Sequence, residues 1–422
     1  MAMKLPLNRS RMRQDYVTGK HGRLKSAPNS WFWRHRIVTL LAANVFLLLI
    51  VGLAFEVALR VVSPNWLEYR MAFLARGGNI DAFGTDRSWK TVRDNGRFLS
   101  FEPHSKFDVV HAEYQNIAFI DEFGGRQVTP QLNSDRLLPC LGDSFTFGVG
   151  VENGETFVDH LQKFVGVRSG VRLVNLGVPG TALPEQRFIV DKRHEDFPSP
   201  PIYYLVFFFL GNDFAETLQR SRTQQIRTGE KSAWQNLSEV VNDYVVTGWL
   251  RHSYAIQFSK RTLMQITNDT RRNPIFSMME VANTSYHRRV REALQSELEA
   301  WGKIAERDQF GIVVIFIPDS YQVISERRER QARYYRMEPD ELDAYLPNRI
   351  LAETLEEQGI RYVDPTKDFM EMHDTERLYY VNDDHFTAKG HYRFAQVIHD
   401  ELDAALSEFR DSILSEEKDM HD

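Results

Sequence analysis

The sequence predicts a three-layer α/β domain with a five-stranded parallel sheet, preceded by one N-terminal transmembrane helix. Three observations lead there. From residue 131 onward, short continuous apolar runs alternate with helical stretches, the pattern of parallel strands buried on both faces. Ile37 to Phe55 forms a run of nineteen residues without a formal charge. The segment LGDSFTFG, Leu141 to Gly148, sets a Gly-Asp-Ser turn between an apolar run and a helical one.

The elements follow in chain order. Residues 1–36 carry nine Lys or Arg against one acid, Asp15, in a chain whose net charge is −6. The leader is therefore +8 and the remainder about −14, an asymmetry that fits a basic cytoplasmic tail and an exported body. The uncharged run is long enough as a helix to cross most of a bilayer core, so residues 37–62 are expected to be a signal-anchor. A cleaved signal peptide fits less well, because the leader is long and no small-residue cleavage site follows Phe55. Asn44 is its one strongly polar residue, and Glu56 and Arg60 stand one turn apart where they can pair.

Residues 63–130 read as a juxtamembrane region with some strand character, ending in IAFIDEFGGR, where the glycines imply a tight turn. Residues 131–405 then form the main domain. Its strands are Arg136 to Leu141, Val171 to Asn175, Ile202 to Leu210, Ile312 to Ile317 and Arg361 to Val363, with helices at Thr156 to Phe164 and Asn348 to Gln358. About 215–308 reads as a helical insertion, and 406–422 as an acidic tail that frays from 411 onward. Cys140, the single cysteine, falls in the first strand and has no disulfide partner. The basic run SERRERQARYYRM, Ser325 to Met337, is interrupted by Glu326 and Glu329, and the exported part is acidic overall. Both features argue against nucleic acid as a partner.

Four segments carry chemistry. Ser144 at a strand-to-helix junction meets unpaired backbone N–H groups and the positive end of a helix dipole, which stabilise developing negative charge. VNLGVPGTA, Val174 to Ala182, ends the second strand in a loop where Gly180 lets backbone approach a ligand closely, or simply turns the chain. FFFLGNDF, Phe207 to Phe214, puts Asn212 at the same sheet edge as a possible amide donor or a helix cap. Tyr379 to Ala395 sets two acids directly before His385, and an imidazole can take a serine proton when an acceptor holds its other nitrogen.

In this order the four segments resemble the SGNH (GDSL-type) hydrolase superfamily, through Gly142-Asp143-Ser144, Gly180, Gly211-Asn212-Asp213 and the Asn382-Asp383-Asp384-His385 segment. The resemblance covers 131–405 and implies a flavodoxin-like three-layer fold. It also implies Ser144 as nucleophile, His385 as general base, and an oxyanion hole from the N–H groups of Ser144 and Gly180 with the Asn212 side chain. Members often carry the acid three residues before the histidine, where this chain has Asn382; some space it by two, so Asp383 is assigned and Asp384 is the lesser candidate. The Gly-x-Ser-x-Gly signature is absent because Thr146 occupies the second glycine position. The basic leader, single span and FGGR turn also resemble membrane-anchored members with exported domains.

The expected activity is that of a serine esterase on O-acyl esters, above all O-acetyl esters of an envelope or extracellular polysaccharide. An O-acetyltransferase would use the same residues. A non-catalytic glycan-assembly module would have no need of serine, histidine and acid together. A metal hydrolase with Asp383, Asp384, His385 and His391 as ligands lacks a spaced ligand motif; neither metal nor cofactor is expected. Oligomeric state is not readable from the sequence.

Overall fold

The computed structural model describes residues 35–62, 67, 71, 91–94, 97–111, 113–226, 252–266, 273–372, 377–381 and 383–419. The basic leader, much of the expected juxtamembrane stretch, parts of the helical insertion and Asn382 lie outside the described residues. The chain divides into two units, Met1–Val62 and Ser63–Asp422.

In the first unit, α1 (Arg36–Val61) has 26 residues and a mean hydropathy of 2.7 in its apolar window. At ~1.5 Å per residue it is long enough to cross a bilayer core of ~30 Å. Its polar groups are satisfied locally: Asn44 Nδ2 donates to the Leu40 carbonyl at 2.8 Å, and Arg60 Nε to Glu56 Oε1 at 2.9 Å.

The second unit opens with two antiparallel pairs. These are β1 (Thr91–Asp94) with β2 (Arg97–Phe101), and β3 (Lys106–Val110) with β4 (Gln115–Phe119). There follow β5 (Leu137–Leu141), α2 (Ser144–Phe147), α3 (Phe157–Leu161) running into a π turn, β6 (Arg172–Asn175), α4 (Leu183–Arg193), β7 (Tyr203–Phe209) and α5 (Asp213–Ile226). Then come α6 (Tyr254–Ile266), α7 (Pro274–Met279), α8 (Thr284–Asp308), β8 (Gly311–Ile317), α9 (Ser320–Val323), α10 (Ser325–Tyr335), α11 (Leu346–Glu357), β9 (Arg361–Val363), α12 (Thr366–Met370) and α13 (Ala388–Asp419).

The five strands β6-β5-β7-β8-β9 form one sheet, parallel throughout. Alternation within the apolar runs divides the core. On β7, Tyr204, Val206 and Phe208 face one layer with Leu294, Leu298 and Trp301 of α8 and Leu351 and Leu355 of α11. Leu205, Phe207 and Phe209 face the other, with Phe157 and Leu161 of α3 and Phe394 and Ile398 of α13. A strand covered on both sides must be apolar at every position, which is why these runs lack a polar face. Cys140 lies inside this core, and burial pushes its thiol up.

Three boundaries differ from the sequence pattern. The stretch 215–308 is mostly helical where described, with a bridge from Glu280 to Leu342 and a turn at 281–282, but its last helix, α8, buries Val290, Leu294, Leu298 and Trp301 against the sheet and serves as the β7-to-β8 crossover. Phe101, Phe107, Val109 and Ala118 of the first strands, with Ile120 just after β4, share that core with Phe147 and Leu176, so the core draws on residues before 131. The acidic tail extends α13 as far as Asp419 instead of fraying from 411, its Glu, Lys, Ala and Leu all being good helix formers.

Candidate active site

Ser144 is the first residue of α2, directly beyond the carboxyl end of β5. Asp143 caps this short helix, its Oδ1 accepting the Phe145 N–H at 2.9 Å. Gly142 is required by close approach: a Cβ there would meet Thr146 Oγ1 at 2.0 Å and the Phe207 carbonyl at 3.0 Å. The second loop is tied to this turn, with Val178 N–H donating to the Gly142 carbonyl at 2.9 Å and Asn175 Nδ2 to the Thr146 carbonyl at 2.7 Å.

His385 arrives from the far end of the chain, three residues before α13. Its Nε2 is 2.7 Å from Ser144 Oγ and its Nδ1 is 2.6 Å from Asp383 Oδ1. Asp383 Oδ1 also accepts the His385 backbone N–H at 3.0 Å, which fixes the carboxylate to its own loop. An ionised carboxylate is an acceptor only, so Nδ1 carries the proton and Nε2 presents its lone pair to the serine hydroxyl. The imidazole rests on Phe145, with ring centroids 5.0 Å apart.

Charge follows this geometry. Burial alone would raise the Asp383 carboxyl, but His385, the Tyr114 hydroxyl and His111 outweigh it and hold it well below the usual range. Burial would lower His385, but Asp383, together with Asp143 and Asp384, raises it above 6.5. Asp384 does not reach the imidazole: its Oδ1 accepts from Ser320 Oγ at 2.9 Å and lies 3.6 Å from Arg327. Of the two candidate acids, Asp383 is the one on Nδ1.

Asn212 and Gly180 lie at the ends of β7 and β6 and are linked through two further side chains. Asn212 Nδ2 donates to Glu216 Oε1 at 2.7 Å; Arg220 donates to Glu216 Oε2 at 2.8 Å and to the Gly180 carbonyl at 2.6 Å, and it also pairs with Glu185. Gly180 has φ +73°, a conformation that favours glycine, and no heavy atom lies within 4 Å of where its Cβ would stand. Asn212 Oδ1 is buried without a hydrogen-bond partner. Asp213 turns inward, its Oδ2 accepting the Phe209 N–H at 3.0 Å, and burial and the neighbouring Asp143 raise its carboxyl well above the ordinary value.

Sequence reasoning missed Tyr114, His111, Arg126 and the Glu216–Arg220 pair. Tyr114 donates to Asp383 Oδ2 at 2.7 Å. Arg126 is fully buried and donates to the carbonyls of Phe147 (3.0 Å), Gly148 and Val151 (2.6 Å), holding the chain just after the serine helix. Only the FGGR turn gave a local signal near Arg126. No group of three or more metal-ligating side chains occurs among the described residues.

Residues 140–393 match the GDSL-like Lipase/Acylhydrolase family. The chain is also similar to solved structures. One is a member of the lipolytic G-D-S-L family from Veillonella parvula, 14% identical over 62% of this chain and 96% of that one, with a TM-score of 0.34. Another is a lipase/acylhydrolase from Enterococcus faecalis, 14% identical over 64% and 96%, with a TM-score of 0.35. A third is an acetylxylan esterase from Geobacillus stearothermophilus, 14% identical over 64% and 94%, with a TM-score of 0.32. No curated protein matches the chain.

Proposed function

This chain belongs to the GDSL-like lipase/acylhydrolase family, and from that premise we propose that it is a membrane-anchored serine esterase that cleaves O-acyl esters through an acyl-serine. The observation that carries the proposal is the continuous chain of contacts from Ser144 Oγ through His385 to Asp383, at 2.7 and 2.6 Å. In the first step Ser144 Oγ attacks the ester carbonyl while Nε2 of His385 takes its proton. The oxyanion accepts hydrogen bonds from the N–H groups of Ser144 and Gly180 and from the Asn212 amide, whose second N–H remains for substrate while the first holds Glu216. The imidazolium, stabilised by Asp383, returns the proton to the departing alkoxide. Water, deprotonated by the same imidazole, then attacks the acyl-serine and releases the acid.

The anchor in this reading is α1, with the basic leader on the cytoplasmic side and the α/β unit exported; in a Gram-negative bacterium it would face the periplasm. An exported, tethered esterase faces acylated envelope or extracellular glycans, and we take O-acetyl groups of such a polysaccharide as the substrate. An acceptor hydroxyl in place of water would make the same residues an O-acetyltransferase.

The test uses the full chain in detergent. A fluorophosphonate should form an adduct on Ser144 and on no other residue, and an acetylated polysaccharide should yield free acetate. Acetyl transfer to a glycan acceptor without acetate release would replace hydrolysis by transfer. Absence of the Ser144 adduct would remove the serine mechanism.

A further inference from the structure

Tyr114 stands at the tip of the β3–β4 hairpin, outside the 140–393 family span. Its phenol donates to Asp383 Oδ2, the oxygen that His385 does not use, at 2.7 Å. Its ring stacks on His111 with centroids 4.9 Å apart and packs on Tyr380 at 4.8 Å. Next to it, Glu113 Oε1 accepts the Val381 N–H at 3.0 Å, while the Tyr380 hydroxyl donates to the Gly150 carbonyl at 2.7 Å. The loop that carries the acid is thus gripped by a hairpin that the family span does not include.

Resting on the serine-esterase reading, we propose that Tyr114 is a positioning residue for Asp383: its hydroxyl occupies Oδ2 so that Oδ1 alone is directed at His385. Without the phenol, Oδ2 would face, among the described residues, only His111 Nε2, 3.8 Å away and beyond hydrogen-bond reach, and a carboxylate so placed can rotate about its terminal torsion or draw in water. Either change leaves the charge beside Nδ1 but frees the carboxylate plane, so the imidazole is no longer held in line with Ser144 Oγ. A hydroxyl donating to a carboxylate makes a short charge-assisted bond that forbids both. The hairpin Lys106–Phe119 accordingly belongs to the working site, although its own residues touch no substrate.

Removing the hydroxyl also leaves more negative charge on the carboxylate facing the imidazole, which favours the imidazolium. The groups facing this pair are Asp143, Asp384, His111 and Tyr380, with Glu113 held on Val381 and Arg327 and Ser320 held on Asp384. Tyr114→Phe keeps both ring contacts and changes none of these groups. In the full chain in detergent, kcat for p-nitrophenyl acetate should fall about tenfold, the size of one lost charged hydrogen bond. KM should stay unchanged, and the acid limb of the kcat profile should move to higher pH.

Fluorophosphonate labelling separates this inference from the reading beneath it. If the unaltered chain takes no label at Ser144, the esterase reading fails. If it does, Tyr114→Phe should label to the same stoichiometry but more slowly, with the raised limb. A variant with unchanged rate per labelled site and an unmoved limb would overturn the inference, even if its thermal stability had dropped. Tyr380→Phe, which removes a hydroxyl from the same stack without touching Asp383, should leave the limb in place. Should Tyr114→Phe not fold, 3-fluorotyrosine at 114, a stronger donor of nearly the same shape, should move the limb to lower pH; an unmoved limb there would overturn the inference too.

Discussion

Ser144 Oγ and His385 Nε2 stand 2.7 Å apart although 241 positions separate them in the chain. The sheet brings them together: β5 delivers the serine at its carboxyl end, and the loop before α13 returns over the same edge. A hydroxyl is a weak nucleophile at its ordinary pKa, and the contact matters because it offers that hydroxyl a base. Ser144→Ala and His385→Ala should each remove essentially all turnover, about 10⁶-fold in kcat, and the double variant should be no worse than either alone. Steady-state kinetics on p-nitrophenyl acetate check this. Additive losses would mean that the two side chains do not act as a unit.

Asp383 and Asp384 are adjacent in sequence and differ in what they touch. Asp383 holds Nδ1 of His385, whereas Asp384 faces Ser320 and Arg327. Asp383→Asn should lower kcat by about 10⁴-fold, since an amide in place of the acceptor favours the wrong imidazole tautomer. Asp384→Asn should cost far less. The reverse order of severity would reassign the acid.

The Asn212 amide is placed by Glu216, itself paired to Arg220. Asn212→Ala should reduce kcat by about 10²- to 10³-fold with a small change in KM, as the loss of one oxyanion donor does elsewhere. Wild-type kcat in this variant would strike Asn212 from the oxyanion hole.

The pH dependence follows from His385, whose imidazole Asp383, Asp143 and Asp384 raise above 6.5. The base must be neutral, so kcat/KM should rise with pH through that raised value and level off beyond it. Stability runs the other way for this residue. Its raised pKa contributes stability fully present below the unfolded value of about 6.5 and lost as pH climbs through the folded one. For Asp383, held low, the contribution is present above the unfolded value of about 3.9 and lost as pH falls through the folded one. Kinetics across pH with parallel thermal melts test both signs; a bell with its acid limb below 6.5 would contradict the electrostatic account of His385.

The parts of this molecule that were legible in sequence are those whose cause is local. Tyr203–Phe209 reads as a strand because each of its residues except Tyr203 is apolar and buried, and the turns that hold Ser144, Gly180, Asn212 and His385 are marked by their glycine, asparagine and aspartate neighbours in sequence. Even the choice of Asp383 rested on spacing to His385. Tyr114 had no such mark, because its partner is 269 positions away and nothing in its own segment calls for an acceptor. α8 was read as part of an insertion because its pattern, Val290, Leu294, Leu298 and Trp301, shows an apolar stripe without saying what it packs on. Glu216 and Arg220, one turn apart, read as an ordinary helix pair.

Arg126 gives the last prediction, one of stability more than of chemistry. Its guanidinium is fully buried and faces carbonyl oxygens of Phe147, Gly148 and Val151 together with Asn153 Oδ1. Burial pushes it down to about 10, so it remains charged at neutral pH, and three of its acceptors follow directly on the serine helix. A cation there meets the negative end of α2 and supplies the donor for the Phe147 carbonyl, adding to the bonds that Asn116 Nδ2 gives the Val151 carbonyl and the Val151 N–H gives the Gly148 carbonyl. Arg126→Met would remove the charge and the guanidinium's hydrogen bonds and leave the Phe147 carbonyl without a donor, while the Val151 carbonyl keeps Asn116 and the Gly148 carbonyl keeps the Val151 N–H, at a cost of about 3 kcal/mol. Arg126→Lys should recover only part of the loss, because one ammonium cannot reproduce the planar fork. Urea unfolding should show both shifts, with Met the larger. If the two variants were equally stable and equal to the unaltered chain, the guanidinium would have no part in holding Ser144 in place.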